Sequence, residues 1–483
     1  MQKNENGKNG KGKNPNVIFI LADDHGSWAM NCAGNGELET PALDGLAAEG
    51  VRFENFFCTS PVCSPARASL LTGRIPSMHG IHDYLSGGDS ISPVGPRHEL
   101  VEYLEGMPGY TDYLDREGYF CGISGKWHMG NCYRPQKGFK YWNLVLGCYY
   151  NHREVRNGKE YPGPEYSTDV ITRNALNFLE EAKNRDVPFY LGINYIAPHS
   201  PWTREHHPHE TFDRYYENCP FRSVPGKKSP PEWVERLNIP VKDEETRRSF
   251  LSGYFTAITE MDRNIGRVIR WLEDNNLRED TLVVFMSDNG MSMGHHGLFG
   301  KGNASFPLNM FDHAVKVPCI FSHPGRIPGG RVEASLLSQY DFMPTLLDYL
   351  GIGGQNGEIL PGRSFLPVLE NESGAEGKEF VVVFDEYGPV RMARTKEWKY
   401  IHRYPYGPHE LYDIKNDPLE TENLAGAEGF QGIENDMRGL LRDWFSRYAD
   451  PDVDGVYEAV TGFGQIRLCG KKGKGKKSFN PLR

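Results

Sequence analysis

Val17-Ile18-Phe19-Ile20-Leu21-Ala22 runs directly into Asp23-Asp24. The apolar run is short and continuous, and it is rich in β-branched and aromatic side chains. That pattern suits a strand buried on both faces of a parallel sheet, not an edge strand with one wet face. Thr281-Leu282-Val283-Val284-Phe285-Met286-Ser287 has the same form and ends in Asp288-Asn289-Gly290. Phe189 to Ile196 is a third such run and ends in Ala197-Pro198-His199. Between the last two, Leu251, Tyr254, Ile258, Ile265, Val268, Ile269 and Leu272 recur at three- and four-residue steps, which predicts an amphipathic helix. Further helices are expected over 167–183 and 340–350. Strands alternating with helices predict an α/β fold with helices on both faces of the sheet. Ligands in such sheets sit beyond the carboxyl ends of the strands. Asp23, Asp24, Asp288, Asn289 and His199 all fall there.

The texture changes near a Gly-rich linker, 351–357. Beyond it, 380–384, 390–394, 398–403 and 410–413 read as short strands, and 431–448 as a closing helix. The expected organisation is a tail over 1–14, a large catalytic domain over 15–355, a smaller α+β unit over 356–469 and a solvated basic tail over 470–483. Residues 201–245 are rich in Pro, His and charge, and read as a long loop over one face. Loops of that length are often lids.

The chain has 483 residues and a net charge of −10, which disfavours a general nucleic-acid surface. An anionic substrate would need a local basic pocket. No apolar run approaches the length of a membrane span. The first residues are basic but carry no apolar stretch, so they do not read as an export signal. The nine cysteines form no regular framework, and reduced thiols in a cytoplasmic protein are the expectation. A local Cys58–Cys63 disulfide is the alternative.

Cys63-Ser64-Pro65-Ala66-Arg67 carries the chemistry. Ser64 suits an N-cap and Pro65 the first helical position. Cys63 would then sit just before a helix N-terminus, where free N–H groups favour an anion. Arg67 would share its face. A buried inert thiol is the plain alternative. Asp23, Asp24, Asp288 and Asn289 are hard oxygen ligands on two strand ends, and they point to Ca²⁺ or Mg²⁺. Lys126 and His128 fall on one side of an extended segment. Lys301 follows a Gly-rich turn. His82, Asp83, Trp202 and His296 are candidate substrate contacts, although a surface His pair at 295–296 and a packed Trp202 read equally well.

The run Cys58 to Arg74, with its Cys-x-Pro-x-Arg and Thr-Gly, resembles the signature of the type I sulfatases. So do 16–24, Gly125-Lys126-Trp127-His128, Ala197-Pro198-His199, Ser287-Asp288-Asn289-Gly290, Gly300-Lys301 and Glu410-Leu411-Tyr412-Asp413, in that order. The resemblance implies the alkaline phosphatase superfamily fold. That is a large mixed, mostly parallel sheet between helices, with a C-terminal four-stranded antiparallel sheet. It implies that a maturation enzyme, formylglycine-generating or radical, converts Cys63 to formylglycine, whose hydrate attacks sulfur and touches the cation. Asp23, Asp24, Asp288 and Asn289 would hold that Ca²⁺, or Mg²⁺. Arg67 would hold the hydrate, and Lys126, His199 and Lys301 the sulfate. His199 or Lys301 would protonate the leaving oxygen. His128 would take the second hydroxyl's proton. A sulfated carbohydrate is the expected substrate. Phosphonate monoester or phosphodiester hydrolysis is the alternative within the superfamily. A non-catalytic anion-binding protein is the alternative if Cys63 stays a thiol.

Overall fold

The computed structural model describes residues 14–90, 99–226, 228–353, 357–385 and 390–481. Ten strands form one sheet. They are β1 Asn16–Ala22, β2 Val51–Phe53, β3 Phe120–Gly125, β4 Tyr141–Leu146, β5 His152–Arg156, β6 Lys159–Gly163, β7 Phe189–Asn194, β8 Thr281–Ser287, β9 Cys319–Ser322 and β10 Arg331–Glu333. Their order is β10-β2-β9-β8-β1-β7-β3-β4-β5-β6. The centre, β8 to β4, is parallel, and β9, β5 and β6 pair antiparallel with their neighbours. The fold class expected from the sequence is the observed one.

Strand β1 lies at the middle, and its side chains divide the core. Val17, Phe19 and Leu21 face one apolar cluster, and Ile18, Ile20 and Ala22 face the other. The second cluster is closed by α1 Pro41–Ala48, α3 Ser167–Ala182 and α5 Glu244–Asp274. The first is closed by α2 Cys63–Thr72 and α6 Phe342–Tyr349, among others. In register, Leu21 pairs with Met286 on one side and Asn194 on the other. The three apolar runs therefore end level, and their polar ends open at one edge of the sheet.

The smaller sheet is antiparallel: β11 Phe380–Asp385, β12 Val390–Thr395, β13 Trp398–Arg403 and β14 Glu410–Asp413. One face packs on α7 Gln431–Tyr448 through Phe384, Ala393, Tyr400 and Leu411. The other face contributes Val381, Val383, Met392 and Ile401 to the large core. The two units thus share a core.

Three expectations change. Residues 201–245 are not one open loop. They contain α4 His209–Asn218, which lays Phe212 and Tyr215 inward beside α5. Residues 470–481 are not a loose tail. Phe479 is buried, bridges to Gln465, and returns the chain onto the body. Helix α2 begins at Cys63 with Val62 as its cap residue. Ser64 therefore lies inside the first turn and not at the cap, and its Oγ accepts from the Leu85 N–H at 3.1 Å.

Candidate active site

Each functional side chain is placed by a strand end or a helix start. Asp23 and Asp24 follow β1, and Asp24 takes a left-handed backbone (φ 66°). That turn is held by Tyr254 of α5, whose hydroxyl donates to Asp24 O at 3.0 Å and accepts from Gly26 N at 2.9 Å. Asp288 and Asn289 follow β8. The Gln339 amide donates to the Ser287 and Asp288 carbonyls at 2.9 and 2.8 Å, which fixes that turn. Asp288 Oδ1 accepts from Asp24 N at 3.2 Å, so the two strand ends are joined directly. Cys63 enters from the first turn of α2.

The side chains form a dense ionic cluster. Cys63 Sγ lies 3.2 Å from Asp23 Oδ1, and Lys301 Nζ lies 2.8 Å from the same sulfur. Lys301 Nζ also donates to Asp24 Oδ1 at 2.5 Å. Lys126 Nζ pairs with Asp23. Arg67 Nε donates to Asp288 Oδ2 at 2.9 Å, and its Nη2 sits 3.3 Å from Asp23 Oδ2. Asn289 Nδ2 donates to Asp24 Oδ1 at 2.8 Å. His199 Nε2 lies 3.6 Å from Asp24 Oδ2.

Burial and charge compete here. Burial alone raises Asp23, but Lys126, Arg67, His199 and Lys301 outweigh it and hold the carboxyl well below the usual range. Asp24 is lowered the same way, with Lys301 the main opponent of burial. Asp288 goes the other way, to about 6, because burial and the Asp23 charge exceed what Arg67 returns. Burial and Asp23 also push the Cys63 thiol up, so an unmodified Cys63 is a poor nucleophile.

Two histidines are oriented by carbonyls. His128 Nε2 donates to Leu85 O at 3.1 Å, which leaves Nδ1 as the basic nitrogen, buried and without a partner. Burial, Lys126 and Arg67 hold His128 well below the usual imidazole range. His199 Nδ1 donates to Ser200 O at 2.8 Å and leaves Nε2 toward Asp24. Asp24, Cys63, Lys126, His128, His199 and Lys301 all line one cavity of about 620 Å³. Tyr84, Trp202, Ile239 and Phe299 form part of its wider wall.

The cluster fits a hard cation. Asp23, Asp24 and Asp288 converge, and the Asn289 Oδ1 acceptor is buried with no hydrogen-bond partner. Ligand atoms of Asp23, Asp24, Cys63 and His199 lie within 4.8 Å of one another. Cys63 Sγ stands where a converted residue would place oxygen, and that change leaves a donor set dominated by oxygen.

Four suggested substrate contacts fare differently. His82 is buried away from the cavity, with Nε2 donating to Val453 O at 2.7 Å, and burial lowers it to about 4. Asp83 accepts from Gly464 N at 3.0 Å and ties down the C-terminal segment. His296 stacks on Phe311, with ring centroids 3.6 Å apart, outside the cavity lining. Trp202 does line the cavity, but it is only 3% exposed. Its Nε1 donates to Pro198 O at 2.9 Å and its ring packs on Phe250 and Tyr254, so it offers an edge, not a free face. All nine cysteines are free, Cys58 and Cys63 included. Sequence reading missed Tyr254, Gln339 and Asn194. Asn194 donates to Lys126 O at 2.9 Å, and a polar residue closing an apolar strand was its signal. Tyr254 and Gln339 sit on helical elements and gave none.

The sulfatase family profile matches residues 15–352, and an N-sulphoglucosamine sulphohydrolase C-terminal profile matches 294–446. Among curated proteins, an N-acetylglucosamine-6-O-sulfatase of Bacteroides thetaiotaomicron is 26% identical, covering 92% of this chain and 88% of its own. An ulvan-active sulfatase of Formosa agariphila is 29% identical, covering 90% and 82%. A structure solved in complex with its substrate D-glucosamine-2-N,6-O-disulfate superposes with a TM-score of 0.71 at 25% identity, covering 92% of this chain and 99% of that one. A putative sulfatase from Bacteroides fragilis shares the fold at a TM-score of 0.76 and 24% identity, covering 94% and 99%. The first profile spans most of the chain and ends just past the last strand of the large sheet, so this protein belongs to the sulfatase family and is a sulfuric ester hydrolase.

Proposed function

We propose that the chain hydrolyses sulfate esters on a carbohydrate, with residue 63 as formylglycine and a calcium ion, or magnesium, in the carboxylate cluster. The observation that carries this reading is the placement of Cys63 Sγ between Asp23 and Lys301, at 3.2 and 2.8 Å, at the floor of the cavity. Relatives named for N-acetylglucosamine-6-sulfate and ulvan support the sugar, as does the glucosamine disulfate complex.

Formylglycine at position 63 would supply a hydrated aldehyde, with one hydroxyl as the nucleophile toward sulfur and a second to release the sulfate. Asp23, Asp24, Asp288 and Asn289 would hold the cation, which supplies charge neutralisation and lowers the hydroxyl's pKa. Arg67 braces Asp23 and Asp288 from behind and fixes their spacing. Lys126 and Lys301 reach into the cavity as ammonium groups and bind sulfate oxygens. His199 presents Nε2 to the cavity as the acid for the leaving oxygen, and Lys301 is the second candidate. His128 keeps Nδ1 free to hold the proton of the second hydroxyl. A sulfate left on an ordinary Ser would lack that second hydroxyl and would be slow to leave.

The test is mass spectrometry of the tryptic peptide Phe53–Arg67 after co-expression with a maturation enzyme, followed by rates on sulfate, phosphate and phosphonate esters. Aldehyde at Cys63 and preference for sulfate support the reading. An unmodified thiol with full activity overturns it, and a preference for phosphonate monoesters or phosphodiesters replaces it.

A further inference from the structure

The C-terminal segment carries a second cavity. It measures about 480 Å³ and is lined by Glu458, Thr461, Lys476, Lys477, Phe479 and Asn480, among others, with the Glu458 carboxylate accepting from Gly470 N at 2.8 Å. Both family profiles stop short of it, at 352 and 446. Between Glu458 and Pro481, the last described residue, every charged side chain is a cation: Arg467, Lys471, Lys472, Lys474, Lys476 and Lys477. The chain as a whole carries −10, so this is a local reversal of sign. Lys471 pairs with Asp452 at 2.7 Å. Lys472, Lys474, Lys476 and Lys477 are exposed, and no acidic partner lies within salt-bridge distance of them among the described residues.

These lysines are presented on a fixed surface. Gln465 is fully buried, accepts from His82 N at 2.9 Å and donates to Gly80 O at 2.9 Å. Asn480 Nδ2 donates to Ser86 Oγ at 2.8 Å, and Ser86 N donates to Gln465 O at 3.0 Å. Ser86 lies two residues from Tyr84, which lines the catalytic cavity. One loop, 80–86, thus joins the basic cavity to the catalytic one. The hydroxyls nearby are already committed, Thr461 to Asn480 O and Ser478 to Leu468 O. The ammonium groups are the donors left for a ligand.

We propose that the cavity at Lys476 and Lys477, with Lys472 and Lys474 beside it, is a second anion site that binds sulfate groups of a polysulfated glycan remote from the ester being cleaved. This rests on the sulfatase reading for its substrate. The site acts through exposed charge, so its contribution falls as salt rises.

The experiment uses the full chain, with Lys476→Gln/Lys477→Gln and a fourfold variant that adds Lys472→Gln and Lys474→Asn. Asn tolerates the left-handed backbone at 474 (φ 51°). Binding of size-fractionated dextran sulfate oligosaccharides is read by fluorescence anisotropy across a salt series, and turnover is read on para-nitrophenyl sulfate. In the wild type, affinity should rise with oligosaccharide length. The variants should lose about tenfold on the longer fragments, flatten the length dependence and lower the salt slope. Turnover of para-nitrophenyl sulfate should stay within about twofold, since the lysines lie outside the catalytic cavity. Wild-type affinity in the fourfold variant overturns the proposal. So does an equal loss on para-nitrophenyl sulfate, or equally tight, equally lysine-dependent binding of single-stranded DNA. An enzyme inert toward every sulfate ester whose dextran sulfate affinity still drops in the variants sinks the proposed function and leaves the site standing.

Discussion

Arg67 Nε donates to Asp288 Oδ2 at 2.9 Å with both side chains buried, so the helix bearing Cys63 is locked to the end of β8. Cys63 and Arg67 share a helix, whereas Asp288 arrives from far along the chain. The pair therefore sets how the nucleophile's position meets the carboxylate cluster. Arg67→Ala leaves the buried Asp288 carboxylate without its ion-pair partner, while Asp23 keeps Lys126, and a broken buried pair costs about 3–5 kcal/mol. The expected outcome is a lower denaturation midpoint and loss of turnover. A double variant with Asp288→Asn should recover part of the stability and none of the activity. Full stability in Arg67→Ala would show that the pair is energetically idle.

Cys63→Ala removes one small buried side chain from the cluster and should leave the fold within about 1 kcal/mol of wild type. Turnover should drop to background. Both are read on one sample, by denaturant unfolding and by sulfate release. Retained turnover would refute a role for residue 63.

Cation removal should act on stability as well as rate. Asp23, Asp24 and Asp288 bring three carboxylates together and Asn289 Oδ1 is buried without a partner, so a bound cation should stabilise the native state by about 2.7 kcal/mol at a hundredfold excess over Kd. Chelation should lower the thermal midpoint, and Ca²⁺ should restore it in a concentration-dependent way. Asn289→Leu should abolish that dependence. A midpoint indifferent to chelator and Ca²⁺ would rule out the metal assignment.

Gly253 lies mid-helix in α5, where alanine would ordinarily stabilise by about 1 kcal/mol. Here an added Cβ would meet Trp202 O at 1.9 Å, a backbone atom that cannot swing aside. Gly253→Ala should therefore destabilise the protein and push the Trp202 wall of the cavity, raising KM. A stabilised variant with unchanged KM would mean that the 199–203 segment moves freely.

Asp262 is buried and accepts from Ala42 N and Leu43 N at 3.0 and 2.8 Å, at the start of α1. Burial raises its carboxyl to about 7 despite those donors. A carboxyl with a raised folded pKa binds its proton more tightly in the native state. Its contribution is favourable below the unfolded value near 3.8 and is lost as pH climbs through about 7. Asp262→Asn keeps an acceptor and removes the charge, so its stability relative to wild type should improve from pH 5 to pH 8. Urea unfolding at both pH values measures that difference, and a gap independent of pH would contradict the raised value.

The sequence by itself determined three central strands of the large sheet and offered the candidates for the site. Val17–Ala22, Phe189–Asn194 and Thr281–Ser287 were legible because burial on both faces demands unbroken apolar runs. Their polar ends marked Asp23, Asp24 and Asp288 because two buried strands each close on a pair of oxygen donors, where ligands of such sheets sit. Helix α5 was legible from its three- and four-residue periodicity. Only the tertiary structure decided which candidates meet. His82, Asp83 and His296 look as suitable as His199 in one dimension, yet Val453, Gly464 and Phe311 claim them from distant parts of the chain. Residues 470–481 read as a solvated run because their local composition has almost no apolar content. The fold captures them through Phe479, which bridges to Gln465, whose own partners are His82 and Leu85. Local pattern records what a segment must bury or expose, whereas the partner of a buried polar group is set by chain packing that no local spacing encodes.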